Sequence, residues 1–177
     1  MLVRDDMPVT DEFSEWGAEY LVSNGYAPII RDPVIRTFKD KIINIHPAFL
    51  PYGRGIFLNF WCILYGYPIG VTIHFIDSGT DTGPIIARKD VETREDDTME
   101  SLYARLLSAS EESLRDSWDE FVTGKILPVP QESREDKALY HSRVESELLL
   151  DLLPLGWKTP LNRIREMVGE ISACVEF

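Results

Sequence analysis

The sequence predicts an α/β fold in which helices cover a largely parallel sheet. Short apolar runs rich in β-branched residues alternate with segments of helical spacing, and glycine, proline or asparagine ends most of them. Such alternation is typical of α/β domains, whose ligands sit at the carboxyl ends of the strands. The predicted strands span residues 19–23, 41–46, 70–76 and 85–91, and the predicted helices span residues 32–38, 57–65 and 97–124.

Two of the predicted helices begin with capping patterns. Asp32 followed by Pro33 predicts an N-cap with proline at the first helical position. Asp97 and Glu100 form a capping-box pattern in front of the long helix, which Gly124 ends. We expect this long helix to cover one face of the sheet.

Size and composition indicate a soluble domain with a small-molecule task. The 177 residues include 44% hydrophobic and 27% charged residues, with no apolar run near the ~20 residues of a membrane span and no secretory signal at the start. Thirty acidic against eighteen basic residues give a net charge of −12, which disfavours binding to nucleic acids. Cys62 and Cys174 are too few for a disulfide framework or a zinc site, so we expect a cytoplasmic protein.

The chain is predicted to contain one domain followed by a tail. Residues 1–126 would form the α/β domain, and residues 127–177 would add a helix near 142–152 and a last helix after it. His141 lies in a polar stretch of this tail, and we expect it at the surface.

Two short polar motifs follow predicted strands. Asn44 and His46 are two residues apart, so their side chains point to the same face, and Pro47 ends the strand directly after them. Asp77 and Asp81 lie in the segment DSGTDTGP after the third strand. Taken singly, the first motif is better explained by a solvated strand face, or by a core histidine bonded to a backbone carbonyl, and the second by a solvated turn. A calcium loop is excluded, because threonine and arginine occupy the positions that require glycine and glutamate.

Taken together, four motifs resemble the catalytic half of the folate-dependent formyltransferases. They are NIHP at 44–47, LPYGRG at 50–55, GVTIHF at 70–75 and DSGTDTGP at 77–84. This family includes the glycinamide ribonucleotide, methionyl-tRNA and sugar-nucleotide formyltransferases. The resemblance implies a Rossmann-like formyltransferase fold, with Asn44, His46 and Asp81 as the catalytic residues.

The resemblance covers about residues 15–125, and the family's glycine-rich first half has no counterpart in it. We therefore expect a fold that is truncated at the N-terminus. Loss of the strands of that half would leave a sheet edge unpaired, which favours a homodimer through that edge.

The resemblance also implies a co-substrate and two groups of binding residues. 10-Formyltetrahydrofolate would donate its formyl group to the primary amine of a small-molecule acceptor, without a metal. The residues expected to bind the folate are Gly25, Tyr26, Ala27, Ile29, Ile30, Ile76 and Asp77. Those expected to line the acceptor site are Tyr52, Arg54 and His74.

Formyl transfer requires stabilisation of an oxyanion and movement of protons. The Asn44 amide would donate to the oxyanion, His46 would donate to it or shuttle protons, and Asp81 would favour the imidazolium. The pattern at residues 52–61 looks most like the sugar-nucleotide branch, so the expected acceptor is an amino sugar on a nucleotide. Glycinamide ribonucleotide, a siderophore-type hydroxylated amine and a non-catalytic folate-binding module stay open as alternatives.

Overall fold

A four-stranded sheet forms the centre of the protein, seen here in a computed structural model. In spatial order its strands are β1 (Leu21–Asn24), β2 (Ile42–His46), β4 (Gly70–Phe75) and β5 (Ile85–Asp90). The short strands β3 (Arg54–Gly55) and β6 (Tyr140–His141) pair with each other in parallel. The helices are α1 (Thr10–Glu15), α2 (Asp32–Phe38), α3 (Leu58–Tyr65), α4 (Met99–Val122) and α5 (Leu161–Glu166). The structure describes residues 10–26, 28–132, 140–142, 144, 146 and 153–167.

The α/β class is confirmed, and the predicted strands occur with small shifts of their ends. The expected parallel pairing holds for β1 and β2, whereas β2–β4 and β4–β5 pair antiparallel. Residues 47–69, which include α3, return the chain to the carboxyl end of β2, so β4 runs in the opposite direction. Alternation of strands and helices in the sequence does not reveal this return, because it carries no information on where a connection ends.

Both predicted helix caps are wrong in detail. Asp32 is the first residue of α2, and Arg31 occupies the N-cap without a side-chain hydrogen bond. The capping box of α4 is formed by Thr98 and Ser101, each side chain accepting from the other residue's backbone N–H. Asp97 instead turns inward, where Arg105 donates two hydrogen bonds to its carboxylate.

The two faces of the sheet have different environments. On one face, Ile43 and Ile73 pack against Phe121 of α4, as the predicted cover by the long helix requires. On the other face, Ile42 packs with Phe38 of α2 and with α1. Since side chains alternate along a strand, the even-numbered residues of β2 and β4 share the Ile42 face.

The described part of the tail packs into the main core. Leu153, Leu161, Ile164 and Met167 are buried together with residues of α3, β4 and α4. Most of the predicted helix at 142–152 lies outside the described residues, although residues 144 and 146 are helical. The division at residues 126/127 therefore stays a prediction.

The edges of the sheet bear on assembly. β1 is the edge strand on one side, and no further strand pairs with it among the residues described. Pairing of this edge with a second chain stays a prediction. Within the described part of the chain, no helix is both long enough and apolar enough to cross a bilayer.

We predict that Asp97→Asn destabilises the protein. The carboxylate is 2% exposed and also accepts from Arg94 N at 2.6 Å, and hydrogen bonds from Arg105 hold the pKa of Asp97 below its usual value. Charge-assisted hydrogen bonds contribute about 1.5–3 kcal/mol each, so the free energy of unfolding at pH 7 should fall by about that amount.

The pH dependence of this loss has a definite sign. A lowered folded-state pKa stabilises the protein above the unfolded pKa of about 4, and the stabilisation is lost as the pH falls towards the folded-state value. Urea unfolding should therefore show the gap between wild type and Asp97→Asn closing from about pH 4 to pH 2. Asp96→Asn, which removes the exposed neighbouring carboxylate, serves as the control. A gap that is absent, or constant with pH, would contradict this role.

Candidate active site

Two neighbouring strands bring polar side chains to the Ile42 face of the sheet. In the antiparallel register of β2 and β4, Asn44 lies opposite His74 and His46 lies opposite Thr72. His46, Thr72 and His74 are all buried. This row extends from the middle of β2 to its last residue, His46, along the antiparallel pairing with β4.

Thr72 fixes the start of the loop that follows β2. Its hydroxyl donates to Ala48 O at 2.7 Å and accepts from Leu50 N at 3.0 Å. The loop thereby folds back so that Gly53 O lies 2.9 Å from His46 Nε2. The row of polar side chains thus has one wall formed by backbone.

Asp81 reaches this row from the loop between β4 and β5. Its backbone is left-handed, with φ of 54°, which is uncommon for a residue other than glycine. Gly83 lies so close to the chain that a Cβ there would meet Phe75 O at 1.8 Å, so no larger residue fits. The loop is therefore built for close approach to β4, with the Asp81 side chain turned inward.

The carboxylate of Asp81 is the point where the polar groups converge. Its Oδ1 lies 3.4 Å from Asn44 Nδ2, 3.6 Å from His46 Nδ1 and 3.7 Å from His74 Nε2. Its Oδ2 accepts from the backbone N–H of Gly55 at 3.2 Å. The Asp81 side chain is 16% exposed, whereas the two imidazoles are 5% and 2% exposed, so the cluster opens to solvent mainly at the carboxylate.

The two histidines have their outer nitrogens held by carbonyl groups. A carbonyl only accepts, so His46 donates to Gly53 O through Nε2–H and His74 donates to Phe75 O through Nδ1–H at 2.8 Å. His46 Nδ1 and His74 Nε2 are therefore the nitrogens that face Asp81. Burial, together with the nearby His46, lowers the pKa of His74 to about 4, against the opposing effect of Asp81. His74 is thus neutral near pH 7, and its Nε2 accepts from Asn44 Nδ2 at 3.2 Å.

The predicted folate-binding residues fall into three groups. Ile30 and Ile76 pack on the same apolar cluster beside Ile42, and Ile29 is 72% exposed in the neighbouring loop. Gly25 is exposed and left-handed, with φ of 64°. Tyr26 buries its hydroxyl without a hydrogen-bond partner among the described residues, and Ala27 lies outside them.

The last predicted folate residue, Asp77, shapes the Asp81 loop. Its Oδ1 accepts from Gly79 N at 3.0 Å and from Thr82 Oγ1 at 2.6 Å. These two bonds tie the beginning of the loop to its end.

The residues predicted to line the acceptor site lie in different surroundings. His74 is part of the central cluster, as described above. Tyr52 packs against Tyr67, with 4.7 Å between the ring centroids and 36° between the ring planes. Arg54 donates to Gln131 Oε1 at 2.8 Å, and its Nε is buried without a partner in the described part of the chain. Burial lowers the pKa of Arg54 from its ordinary value, and the nearby Asp81 and Asp77 oppose this effect.

Three groups that shape the site were not found from the sequence. Two are backbone groups, Gly53 O and Gly55 N–H, which carry no side-chain signature. The third is Gln131, whose Nε2 donates to Asp81 O at 2.9 Å and to Gly83 O at 2.8 Å. Gln131 lies in the segment predicted to be a tail, and only the antiparallel bridge between Ile85 and Val129 brings it to the site.

His141 corrects one expectation about the tail. It was predicted at the surface, but it is 3% exposed and stacks on Trp61 with 3.5 Å between ring centroids and 9° between planes. Its backbone carbonyl lies where a Cβ on Gly55 would come within 2.2 Å, so glycine is needed for β3 to pair with β6. Because the residues next to His141 in the sequence are polar, the sequence does not indicate this aromatic packing.

The fold and the cluster define an α/β domain in which a half-buried amide, two buried imidazoles and a half-buried carboxylate meet at one point. The chain belongs to the formyl transferase family, whose model, described as "Formyl transferase", matches residues 4–117. This result confirms the family resemblance predicted from the four motifs.

Individual relatives support the same family. The chain is 35% identical to the formyltransferase PseJ from Anoxybacillus kamchatkensis, solved in complex with UDP-4,6-dideoxy-4-formamido-L-AltNAc and tetrahydrofolate. The TM-score is 0.83, and the match covers 91% of this chain and 84% of that one. It is 26% identical to a methionyl-tRNA formyltransferase from Caldanaerobacter subterraneus, over 94% of this chain and 52% of the relative. It is 40% identical to a phosphoribosylglycinamide formyltransferase from Bacillus subtilis, over 50% of this chain and 46% of the relative. The chain thus spans about half the length of these curated relatives.

We predict that Gln131 holds the Asp81 loop in place. Gln131→Ala removes two donors from the carbonyls of Asp81 and Gly83, and should increase amide hydrogen exchange at residues 76–84 and at Gly55. Loss of each bond should lower the free energy of local opening by about 0.5–1.5 kcal/mol.

Gln131→Glu is the sharper variant, because it keeps the size but places a carboxylate against two carbonyl oxygens. It should increase exchange at least as much as alanine does. Leu127→Ala, at an 89% exposed position in the same segment, is the control. Unchanged exchange in both variants would show that the Asp81 loop keeps its conformation without Gln131.

Proposed function

We propose that the protein transfers a formyl group from 10-formyltetrahydrofolate to the primary amine of a small acceptor. The proposal rests on one observation: Asn44 Nδ2 and His46 Nδ1 both lie within 3.6 Å of Asp81 Oδ1. Membership of the formyl transferase family supports the reaction type. The tetrahydrofolate bound to the related PseJ supports the choice of carrier.

Each of the three side chains has a role that its chemistry suits. Asn44 donates an N–H to the formyl oxygen as negative charge develops on it. The long 3.4 Å contact between Asn44 and Asp81 is the weaker of the two contacts of the amide, and it is the one that a formyl oxygen would replace. His46, with a proton on Nδ1, donates to the same oxygen, or passes that proton to the folate nitrogen as its bond to the formyl carbon breaks.

Asp81 completes the proton path. Its carboxylate stabilises a protonated His46 and accepts, directly or through a water, the proton that the attacking amine must lose. The Gly55 N–H fixes one carboxylate oxygen, which leaves the other for this exchange. His74, neutral near pH 7, orients the Asn44 amide and is not a proton donor in this scheme.

The folate is proposed to bind between two loops. Residues 25–30 would read the pterin edge through backbone groups, with Ile29 and Ile30 as apolar walls. Ile76 and Asp77 would close the opposite side, next to Asp81. The buried Tyr26 hydroxyl, which lacks a described partner, is a polar group available on this path.

The proposed acceptor is an amino sugar attached to a nucleotide. The support is the 35% identity to PseJ over most of both chains, because that protein was solved with a formamido sugar linked to UDP. Arg54 is a cation beside the site whose Nε is buried without a described partner, and it suits an anionic acceptor group. Tyr52, which packs against Tyr67, adds an aromatic ring to the residues proposed for the acceptor site.

Glycinamide ribonucleotide is the second candidate acceptor. The 40% identity to the Bacillus subtilis relative favours it, although that match covers only half of this chain. An assay of tetrahydrofolate release distinguishes the candidates when it is run with a UDP-linked amino sugar, with glycinamide ribonucleotide and with no amine. Folate binding without release on any amine would leave only a binding module.

We predict that Asn44→Ala and His46→Ala each lower turnover by about 10²–10³, the usual effect of losing one oxyanion donor. The amine that gives the fastest tetrahydrofolate release with the wild type is used for the comparison. Neither change should prevent folding, and thermal melting of the same samples checks this.

The control is Asp90→Asn, which removes an exposed carboxylate at the end of β5 and should keep wild-type turnover. Turnover near the wild-type rate in Asn44→Ala or in His46→Ala would remove that residue from the mechanism.

A further inference from the structure

The inward-facing atoms of the central cluster also form a donor set for a metal ion. One nitrogen each from His46 and His74 and one oxygen of Asp81 all lie within 4.8 Å of one another. The two nitrogens are 3.6 Å and 3.7 Å from Asp81 Oδ1. Zinc bonds of about 2.0–2.1 Å in tetrahedral geometry separate neighbouring ligand atoms by about 3.4 Å. The two spacings to Asp81 Oδ1 therefore lie within about 0.3 Å of the zinc value.

The surroundings of the imidazoles match those of metal ligands. A ligating histidine usually donates its other ring N–H to a carbonyl or carboxylate, which fixes the ring and its tautomer. His46 does so to Gly53 O and His74 does so to Phe75 O. His46 Nδ1 and His74 Nε2 therefore both face the same oxygen of Asp81, and each ring in its neutral form offers a metal ion the lone pair of that nitrogen.

Asn44 lies at the remaining side of the cluster. Its Nδ2 contacts His74 Nε2 and Asp81 Oδ1, so it occupies part of the space between the ligands. Rotation of the amide by 180° would present its Oδ1 in place of Nδ2, and amide oxygens are metal ligands. Asp81 Oδ2 stays with the Gly55 N–H, so that Oδ1 is the oxygen left for an ion.

We propose that His46, His74 and Asp81 bind a Zn²⁺ ion, with Asn44 as a fourth ligand, and that the bound ion blocks the site. Two imidazoles favour zinc over magnesium or calcium, which prefer oxygen ligands. The buried Cys62 is not part of the set, since burial raises the pKa of its thiol to about 12 and keeps it protonated. Inhibition rests on the proposed function, because the ion would occupy the groups that the reaction uses. Binding of the ion does not rest on the proposed function.

Metal binding is measured first, on the chelator-treated full chain without folate or amine. Calorimetry with Zn²⁺ should give one ion per chain, and Co²⁺ in its place should give the visible absorption bands of a four- or five-coordinate site. His74→Asn and Asp81→Asn should each weaken binding by more than the ~10–100-fold that loss of a partner behind a ligand costs. Circular dichroism melting checks that each variant folds, and the two variants report independently.

Two controls separate this site from other metal-binding groups. Cys62→Ser removes the buried thiol and Asp90→Asn removes an exposed carboxylate, and both should bind Zn²⁺ as the wild type does. Zinc that fails to bind, that binds equally to the His74 and Asp81 variants, or that is lost in Cys62→Ser would overturn the proposal.

Inhibition is measured second, as tetrahydrofolate release with and without Zn²⁺. Release should fall as the ion saturates the site and should return on addition of a chelator. Formyl transfer that Zn²⁺ at saturation leaves unchanged would overturn the inhibitory part of the proposal. A chain that binds zinc at these residues but forms no tetrahydrofolate would instead refute the proposed function alone.

Discussion

The carboxylate of Asp81 is the constraint on which the rest of the site depends. It is the only described group that meets Asn44, His46, His74 and the Gly55 N–H at the same time. A partly buried carboxylate is costly unless donors surround it, and here Asn44 Nδ2 and the Gly55 N–H supply them. The left-handed backbone at Asp81 and the close approach at Gly83 are the local cost of that placement.

The antiparallel pairing of β2 with β4 explains why such a compact cluster is possible. In this pairing, Asn44 of β2 and His74 of β4 are partner residues. Antiparallel strands place them directly opposite each other, on rigid backbone. The segment after α4 also contributes to the site, because Gln131 links the Asp81 loop to Arg54. The tail is thus part of both the core and the site.

Much of this arrangement could be predicted, for identifiable reasons. The period of two placed Asn44 and His46 on one face, and the order of the four motifs indicated Asp81 as their partner. The register between β2 and β4 could not be predicted, because it depends on where residues 47–69 return to the sheet. Gln131 was missed because nothing local marks a glutamine that reaches two carbonyls fifty residues away in the chain.

The errors have the same physical origin. Asp97 was taken for a cap because its sequence position fits one, but a guanidinium eight residues later binds it more strongly. His141 was placed at the surface because its neighbours are polar, whereas the stack on Trp61 decides its position. In both cases a contact between distant residues overrides the local pattern, which is where sequence patterns carry least information.

A crystal structure of the chain with bound 10-formyltetrahydrofolate, in the absence of an amine, tests the central claim most directly. The account predicts that the formyl oxygen lies within about 3.2 Å of Asn44 Nδ2 or His46 Nδ1, with the pterin along residues 25–30. A folate bound elsewhere, or a formyl group beyond hydrogen-bond distance of both side chains, would contradict it.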